Sequence, residues 1–143
     1  MVREDIIQRK NICFRTPPTV LIVDDDSLWH GLLGRLFTCH GYALLAATSC
    51  ATAIETAKLG KPDCIVLDFN LGDGDATTVC AAIRAQEGHK IPIIIFSSDP
   101  GAEECVSRDR LADKFILKNS PLEKLLAAVD EIMTAHKQGP DKW

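Results

Sequence analysis

Five polar side chains stand within two residues of the end of a short apolar run in the sequence: Asp24, Asp25, Asp68, Ser97 and Lys118. Short apolar runs that end at turn residues are typical of strands buried on both faces of a parallel sheet. Ligands of open parallel sheets bind outside the carboxyl ends of the strands. Residues in these positions are therefore the first candidates for chemistry, and we expect them to meet in one cleft.

Clustered carboxylates need a counter-charge, because two of them about 4 Å apart repel by roughly 4 kcal/mol at an effective dielectric near 20. Mg²⁺ suits such a cluster, since it prefers oxygen ligands and is commonly held by one or two carboxylates plus a phosphate. The Lys118 ammonium and the Ser97 hydroxyl suit the oxygens of a phosphoryl group in transit. The pattern predicts transfer of that group to Asp68 as the nucleophile.

The segments that position these residues alternate between strand and helix. We expect strands at 19–23, 42–47, 64–67, 91–96 and 114–117, and helices at about 27–40, 50–61, 75–86, 103–110 and from 121 to before Gly139. Apolar residues in the first helix recur at helical spacing and predict one buried face, formed by Trp29, Leu32, Leu33, Leu36 and Phe37. Five strand-then-helix units with short connections predict a parallel α/β sheet covered on both faces.

The chain of 143 residues fits one domain. We expect an N-terminal extension over residues 1–18, a domain over 19–136 and a tail over 137–143, since Thr16-Pro17-Pro18 can neither continue a helix nor enter a central strand. The net charge of −4 argues against direct nucleic-acid binding. No apolar run approaches the roughly 20 residues of a membrane span, and no signal core is present, so a cytoplasmic protein is expected.

The six cysteines are scattered, without a C-x-x-C pair or a histidine at ligand spacing, and the four histidines form no cluster. This arrangement predicts reduced cysteines that are mostly small buried apolar side chains, and it argues against a zinc site.

The order of these motifs resembles the receiver domain of two-component response regulators. The resemblance lies in an acidic pair after the first strand (Asp24, Asp25), an aspartate after the third (Asp68), a hydroxyl after the fourth (Ser97) and a lysine after the fifth (Lys118). It covers about residues 19–136. It implies a flavodoxin-like, doubly wound sheet of strand order 2-1-3-4-5. It also implies phosphorylation of Asp68 by a sensor histidine kinase or a histidine phosphotransfer protein.

The resemblance also implies individual roles at the metal. Asp25 and Asp68 correspond to direct Mg²⁺ carboxylates and Asp24 to one that acts largely through water. Asn70 corresponds to the residue whose backbone carbonyl completes the protein ligands. Asp26 is expected to be a solvated neighbour.

A second set of implied roles concerns the response to phosphorylation. Ser97 corresponds to the switch hydroxyl, Lys118 to the lysine that pairs with the phosphoryl group, and Phe115 to the aromatic that changes rotamer. The implied partner on the output side is a downstream effector protein, or a fused output domain that this chain does not contain. A phosphorylation-linked dimer is left open, and no contact with a membrane is expected.

Two departures from the family pattern concern loops. Leu71-Gly72 stands where the family commonly has Met-Pro, which predicts a more flexible loop. The segment between Ser97 and Lys118 is about one residue short, with Leu111-Ala112 near its end.

Three alternatives remain at this point. A pseudo-receiver would be an interaction module that is never phosphorylated, but the complete set of acids argues against it. A phosphatase of the haloacid-dehalogenase type would use Asp24 and Asp26, but it requires Thr or Val in place of Leu28 and a cap domain. A redox flavodoxin would need phosphate-binding Ser, Thr and Gly residues after the first strand, where this chain has acids.

Overall fold

Five parallel strands and five helices alternate along the chain in a computed structural model that describes residues 17–86, 90–110 and 112–137. The strands of the sheet are β1 (Thr19–Val23), β2 (Ala43–Ala47), β3 (Cys64–Leu67), β4 (Ile93–Ser97) and β5 (Lys114–Leu117). The helices are α1 (Ser27–Cys39), α2 (Cys50–Gly60), α3 (Ala76–Arg84), α4 (Ala102–Asp109) and α5 (Leu122–Lys137). Between β3 and α3 lies a short antiparallel hairpin in which Asn70–Leu71 pairs with Gly74–Asp75.

The strand order is β2-β1-β3-β4-β5, and every pairing is parallel. The predicted doubly wound α/β fold and its order 2-1-3-4-5 are therefore confirmed. Since parallel strands all end at the same edge, the residues that follow β1, β3, β4 and β5 share one side of the molecule.

The sheet is buried on both faces, which is why its strands are continuous apolar runs rather than alternating ones. One face packs against α2, α3 and α4, and the other packs against α1 and α5. Alternate residues of each strand enter opposite cores, as the period of two requires. The first core includes Leu21, Val23, Ile65, Leu67, Ile93 and Ile95, and the second includes Val20, Ile22, Val66, Ile94, Phe96 and Leu33.

Local sequence signals explain how α1 begins and ends. The Asp26 carboxylate accepts a hydrogen bond from the backbone N–H of Leu28 (2.9 Å), so Asp26 is the N-cap of α1 in addition to being exposed. Gly41 follows the helix with φ of +88°, a left-handed conformation that glycine adopts without strain. Asp26 is thus more than the solvated neighbour that we expected.

The structure corrects the predicted buried face of α1 at one position. Leu33 and Phe37 are buried and Trp29 and Leu36 are partly buried, but Leu32 is 46% exposed. The face of α1 that contacts the sheet is therefore narrower than the predicted one.

Strand β4 begins at Ile93, two residues later than predicted, because Pro92 has no N–H to donate to a neighbouring strand. The Pro92 carbonyl still accepts a hydrogen bond from Ile65 (3.0 Å).

Residues 1–16 of the expected N-terminal extension and residues 138–143 of the expected tail lie outside the described residues. No helix in the described part of the chain is long and apolar enough to cross a membrane.

Candidate functional site

Three carboxylates meet at the carboxyl edge of the sheet. Oxygens of Asp24, Asp25 and Asp68 all lie within 4.8 Å of one another. The sheet brings them together because β1 and β3 are neighbours, and the backbone N–H of Asp68 donates to the carbonyl of Val23 (2.9 Å). Asp24 is 2% exposed, whereas Asp25 faces solvent. The structure therefore gathers the three acids that the sequence singled out.

Lys118 brings a positive charge into this acidic cluster from the end of β5. Its Nζ lies 2.6 Å from Asp24 Oδ2 and 3.5 Å from Asp68 Oδ2, and its side chain is only 9% exposed. Its position is fixed by a backbone hydrogen bond from Lys118 N–H to the carbonyl of Ser97 (2.9 Å). One ammonium against three carboxylates leaves two formal negative charges, which a divalent cation would balance.

The surroundings of Asp68 raise the pKa of its carboxyl group from 3.8 to about 6. Burial of the side chain is the largest cause, and the charge of Asp24 adds to it. The Lys118 ammonium and the backbone N–H of Phe69 act in the opposite direction, since both stabilise the carboxylate. Asp68 is thus ionised at neutral pH but sits in an environment that favours loss of its charge.

Asp24 uses both of its carboxylate oxygens within the protein. Oδ2 accepts from Lys118, and Oδ1 accepts from the backbone N–H of Asp26 (2.9 Å). In addition, His30 Nε2 donates to the backbone carbonyl of Asp24 (2.6 Å), which ties the acidic loop to the first turns of α1. The geometry therefore leaves Asp25 and Asp68 better placed than Asp24 to contact a cation directly.

Ser97 and Phe115 lie on the same face of the sheet, on adjacent strands. Ser97 is the last residue of β4, is 1% exposed, and its Oγ accepts from the backbone N–H of Asp99 (3.1 Å). Phe115 is partly buried against the core that contains Val106 of α4, and it pairs in register with Ile95. A groove of about 590 Å³ runs beside it, lined by residues of α4 and β5.

The hairpin after β3 places Asn70 on the exposed side, opposite Asp75. Asp75 is the N-cap of α3, where its carboxylate accepts from Thr77 N–H (2.9 Å). Gly74 has φ of +155°, and a Cβ on it would lie 3.2 Å from Cys50 Sγ, so glycine is needed there. The loop after Asp68 thus packs closely against α2.

Asp73 contacts α2 through the same hairpin. Its carboxylate accepts hydrogen bonds from the backbone N–H groups of Cys50 (2.8 Å) and Ala51 (3.1 Å), the first two residues of the helix. These N–H groups lower the pKa of Asp73. The sequence indicates only a turn former at Asp73, because its partners Cys50 and Ala51 lie 23 and 22 residues away along the chain.

Two side chains near the site, His30 and Trp29, could not be identified as site residues from the sequence. His30 belongs to no cluster of histidines, and Trp29 has the spacing of a core residue, so neither carried a signal. Position was the only available clue, since both lie in the first turns of the helix that follows the acidic pair.

Comparison with known proteins agrees with this geometry. The sequence profile of the response regulator receiver domain matches residues 20–130. The response regulator MprA of Mycobacterium sp. (strain KMS) is 30% identical over 87% of this chain and 55% of its own. The transcriptional regulatory protein PrrA of Mycobacterium bovis is 32% identical over 82% of this chain and 51% of its own. The chain thus spans about half the length of the curated relatives it matches.

The crystal structure of a two-component response regulator from Clostridium difficile superposes with a TM-score of 0.76 at 26% identity, over 85% of this chain and 99% of that one. Its fold is therefore the one found here over nearly its whole length. With the profile match across most of the sequence and the same order of acids, hydroxyl and lysine along the sheet edge, the chain belongs to the response regulator receiver domain family.

Proposed function

We propose that Asp68 accepts a phosphoryl group from a phosphohistidine of a sensor histidine kinase or a histidine phosphotransfer protein. In this reaction an Asp68 carboxylate oxygen forms a bond to phosphorus while the bond from phosphorus to the donor imidazole nitrogen breaks. The product is an acyl phosphate on Asp68 and a neutral histidine on the donor. The chain is a signalling domain, and we propose that its own phosphorylation and dephosphorylation are the only reactions it promotes.

The observation that carries this proposal is the contact of Asp68 with both an acidic cluster and Lys118. Lys118 Nζ, 3.5 Å from Asp68 Oδ2, can pair with an oxygen of the incoming phosphoryl group. A carboxylate beside a fixed ammonium is a nucleophile whose product charge is already partly balanced.

Mg²⁺ is the cation that we propose for this cluster. The donor set fits it, because three carboxylates within 4.8 Å of one another supply oxygen atoms only, and Asp25 faces solvent from which the ion's waters could come. Asp25, Asp68 and the backbone carbonyl of Asn70 would hold the ion. Asp24 would act on it through water, because both of its carboxylate oxygens already accept hydrogen bonds within the protein. When bound, the ion would neutralise charge on the phosphoryl oxygens.

We further propose that the response runs through Ser97 and Phe115 to the groove between α4 and β5. The Ser97 hydroxyl would exchange its bond from Asp99 N–H for one to a phosphoryl oxygen, and Phe115 would turn toward the space that this leaves. The changed surface would be read by a downstream effector protein or an attached output domain.

The direct test is labelling with acetyl phosphate in the presence and absence of Mg²⁺. We expect one phosphoryl group per chain by intact mass, sensitive to hydroxylamine and lost in Asp68→Asn. Asp73→Asn is a matched control, because Asp73 is a carboxylate in the following loop that contacts backbone N–H groups rather than the cluster. Labelling that persists in Asp68→Asn, or that is lost equally in both variants, would refute the assignment.

The alternatives receive less support. A haloacid-dehalogenase-type phosphatase would need Asp26 for proton transfer, but the Asp26 carboxylate caps α1. Sustained hydrolysis of p-nitrophenyl phosphate would favour the phosphatase over the phosphoacceptor. A pseudo-receiver would not need the acidic cluster and Lys118 in contact, and absence of labelling in the parent protein would favour it.

A further inference from the structure

Trp29, which sequence spacing assigns to the core, lies against the reactive lysine. Lys118 Nζ sits over the indole ring, 5.1 Å from its centroid. The other groups within reach of this ammonium among the described residues are the carboxylates of Asp24 and Asp68. Lys118 is thus enclosed by two acids and one aromatic face.

We propose that Trp29 is a positioning residue for Lys118, and that its ring holds the ammonium in place while the charges of the surrounding acids change. This inference rests on the phosphoacceptor function proposed above. It gives Trp29 of α1 a role in phosphoryl transfer that is separate from metal binding by the acidic pair and from the response through Ser97 and Phe115.

The first argument concerns the charges around Lys118. A lysine side chain has a flexible four-carbon stem, so its ammonium goes where attraction is strongest. Binding of a cation would withdraw carboxylate charge from Lys118, and phosphorylation would convert the Asp68 carboxylate to an acyl group and move its negative charge to the phosphoryl oxygens. The attraction of a cation to an aromatic face persists through both changes, because the ring carries no net charge to be neutralised.

The second argument is that the ring itself has a fixed place. Trp29 meets Phe96 edge to face, with centroids 5.2 Å apart and planes at 88°. Phe96 is buried in β4, directly before Ser97. Because Phe96 fixes the indole ring of Trp29, the ring can restrict the flexible side chain of Lys118 without itself moving.

The geometric part can be tested without phosphorylation. Indole ring currents shift protons above the ring upfield, so we expect the ε-methylene protons of Lys118 to be shifted upfield in the parent spectrum. The shift should be lost in Trp29→Leu, reduced in Trp29→Phe, and retained in Leu33→Ala. Leu33 is the matched control, because it is a buried residue of the same helix and the same core. Unshifted Lys118 protons in the parent, or equal loss in Leu33→Ala, would overturn the proposal.

The functional part uses rates of phosphorylation by acetyl phosphate, followed by intact mass. Loss of an aromatic–cation contact predicts rates lower by between about 2-fold and about 30-fold in Trp29→Leu, with Trp29→Tyr and Trp29→Phe in between. Leu33→Ala should lose stability but keep its rate. If rates instead follow the stability of the variants, Trp29 is only a core residue and the proposal is wrong.

Failure of the proposed function gives a different result from failure of this inference. A parent protein that is never labelled, yet shows the Lys118 shifts and their dependence on Trp29, contradicts the phosphoacceptor assignment and supports the placement of Lys118. A parent that is labelled normally, with Trp29→Leu labelled at the same rate, contradicts the inference alone.

Discussion

Asp68→Asn should make the metal-free protein more stable at neutral pH, although it removes the proposed reactive group. The folded protein raises the pKa of Asp68 from 3.8 to about 6, which means that it holds the proton of this carboxyl more tightly than the unfolded chain does. Stability of the parent therefore falls as the pH rises from about 4 to about 6, and it stays lower above that range. Asparagine does not titrate, so the variant avoids this loss.

The size of the effect follows from the same pKa. The rise from 3.8 to about 6 spans about 2 pH units, and each unit is worth about 1.4 kcal/mol, so the upper limit is about 3 kcal/mol. Because Asp68 is 12% exposed and solvent screens part of the interaction, we expect a gain between about 1 and about 3 kcal/mol. Lys118 keeps its closer partner, Asp24, in the variant.

The assay is urea unfolding followed by far-UV circular dichroism, in EDTA, at several pH values from about 4 to about 8. The free energy of unfolding of Asp68→Asn should exceed that of the parent at about pH 7.5 and approach it near pH 4. Asp73→Ala is the control of opposite sign: a lowered pKa contributes stability that is lost only at pH values below the ordinary aspartate pKa of 3.8, so this variant should be less stable than the parent across the whole range. A variant no more stable than the parent at neutral pH, or an advantage that persists undiminished at pH 4, would refute the reasoning.

Three further outcomes are expected. Asp25→Ala should weaken Mg²⁺ binding more than Asp24→Ala, measured by titration of Trp29 fluorescence, because both oxygens of Asp24 already have protein partners; equal losses would mean that the acids share the ion. Ser97→Ala should still be labelled at Asp68, yet its amide chemical shifts in α4 and β5 should change less with beryllofluoride than those of the parent, and equal changes would contradict the relay. Gly31→Ala should raise the free energy of unfolding by about 0.5 to 1 kcal/mol, because helical glycine is costly and its Cβ would meet no atom within 4 Å; Gly41→Ala, at φ of +88°, should lower it.

The sequence predicts this fold well because its signals are local. Apolar runs of four or five residues identify the strands, and the change to helical spacing marks each crossover. The acids of the site are predictable for the same reason, since Asp24 and Asp68 each follow a buried run directly and Asp25 comes next after Asp24. The strand order came from the family resemblance, since the chain's periodicity says nothing about which strands are neighbours.

What the sequence could not provide depends on contacts through space. Leu32 has the spacing of a core residue, but α1 buries only a narrow face that includes Leu33 and Phe37, and Leu32 lies outside it. The stacking of Trp29 under Lys118 joins residues 89 positions apart, and the contact of Asp73 with α2 joins residues of separate units. Such pairs have no periodicity, so only the assembled structure reveals them.

The contact of Asp73 with α2 links hydrogen exchange at the start of this helix to opening of the loop beside Asp68. Ser49 caps the helix from within the local sequence by accepting from the N–H of Thr52, whereas the N–H groups of Cys50 and Ala51 donate to a carboxylate more than 20 residues later. Opening of the hairpin would expose these two N–H groups to solvent while the rest of α2 stays hydrogen-bonded. Exchange at Cys50 and Ala51 would therefore follow opening of the loop next to the proposed phosphoacceptor rather than unfolding of the helix.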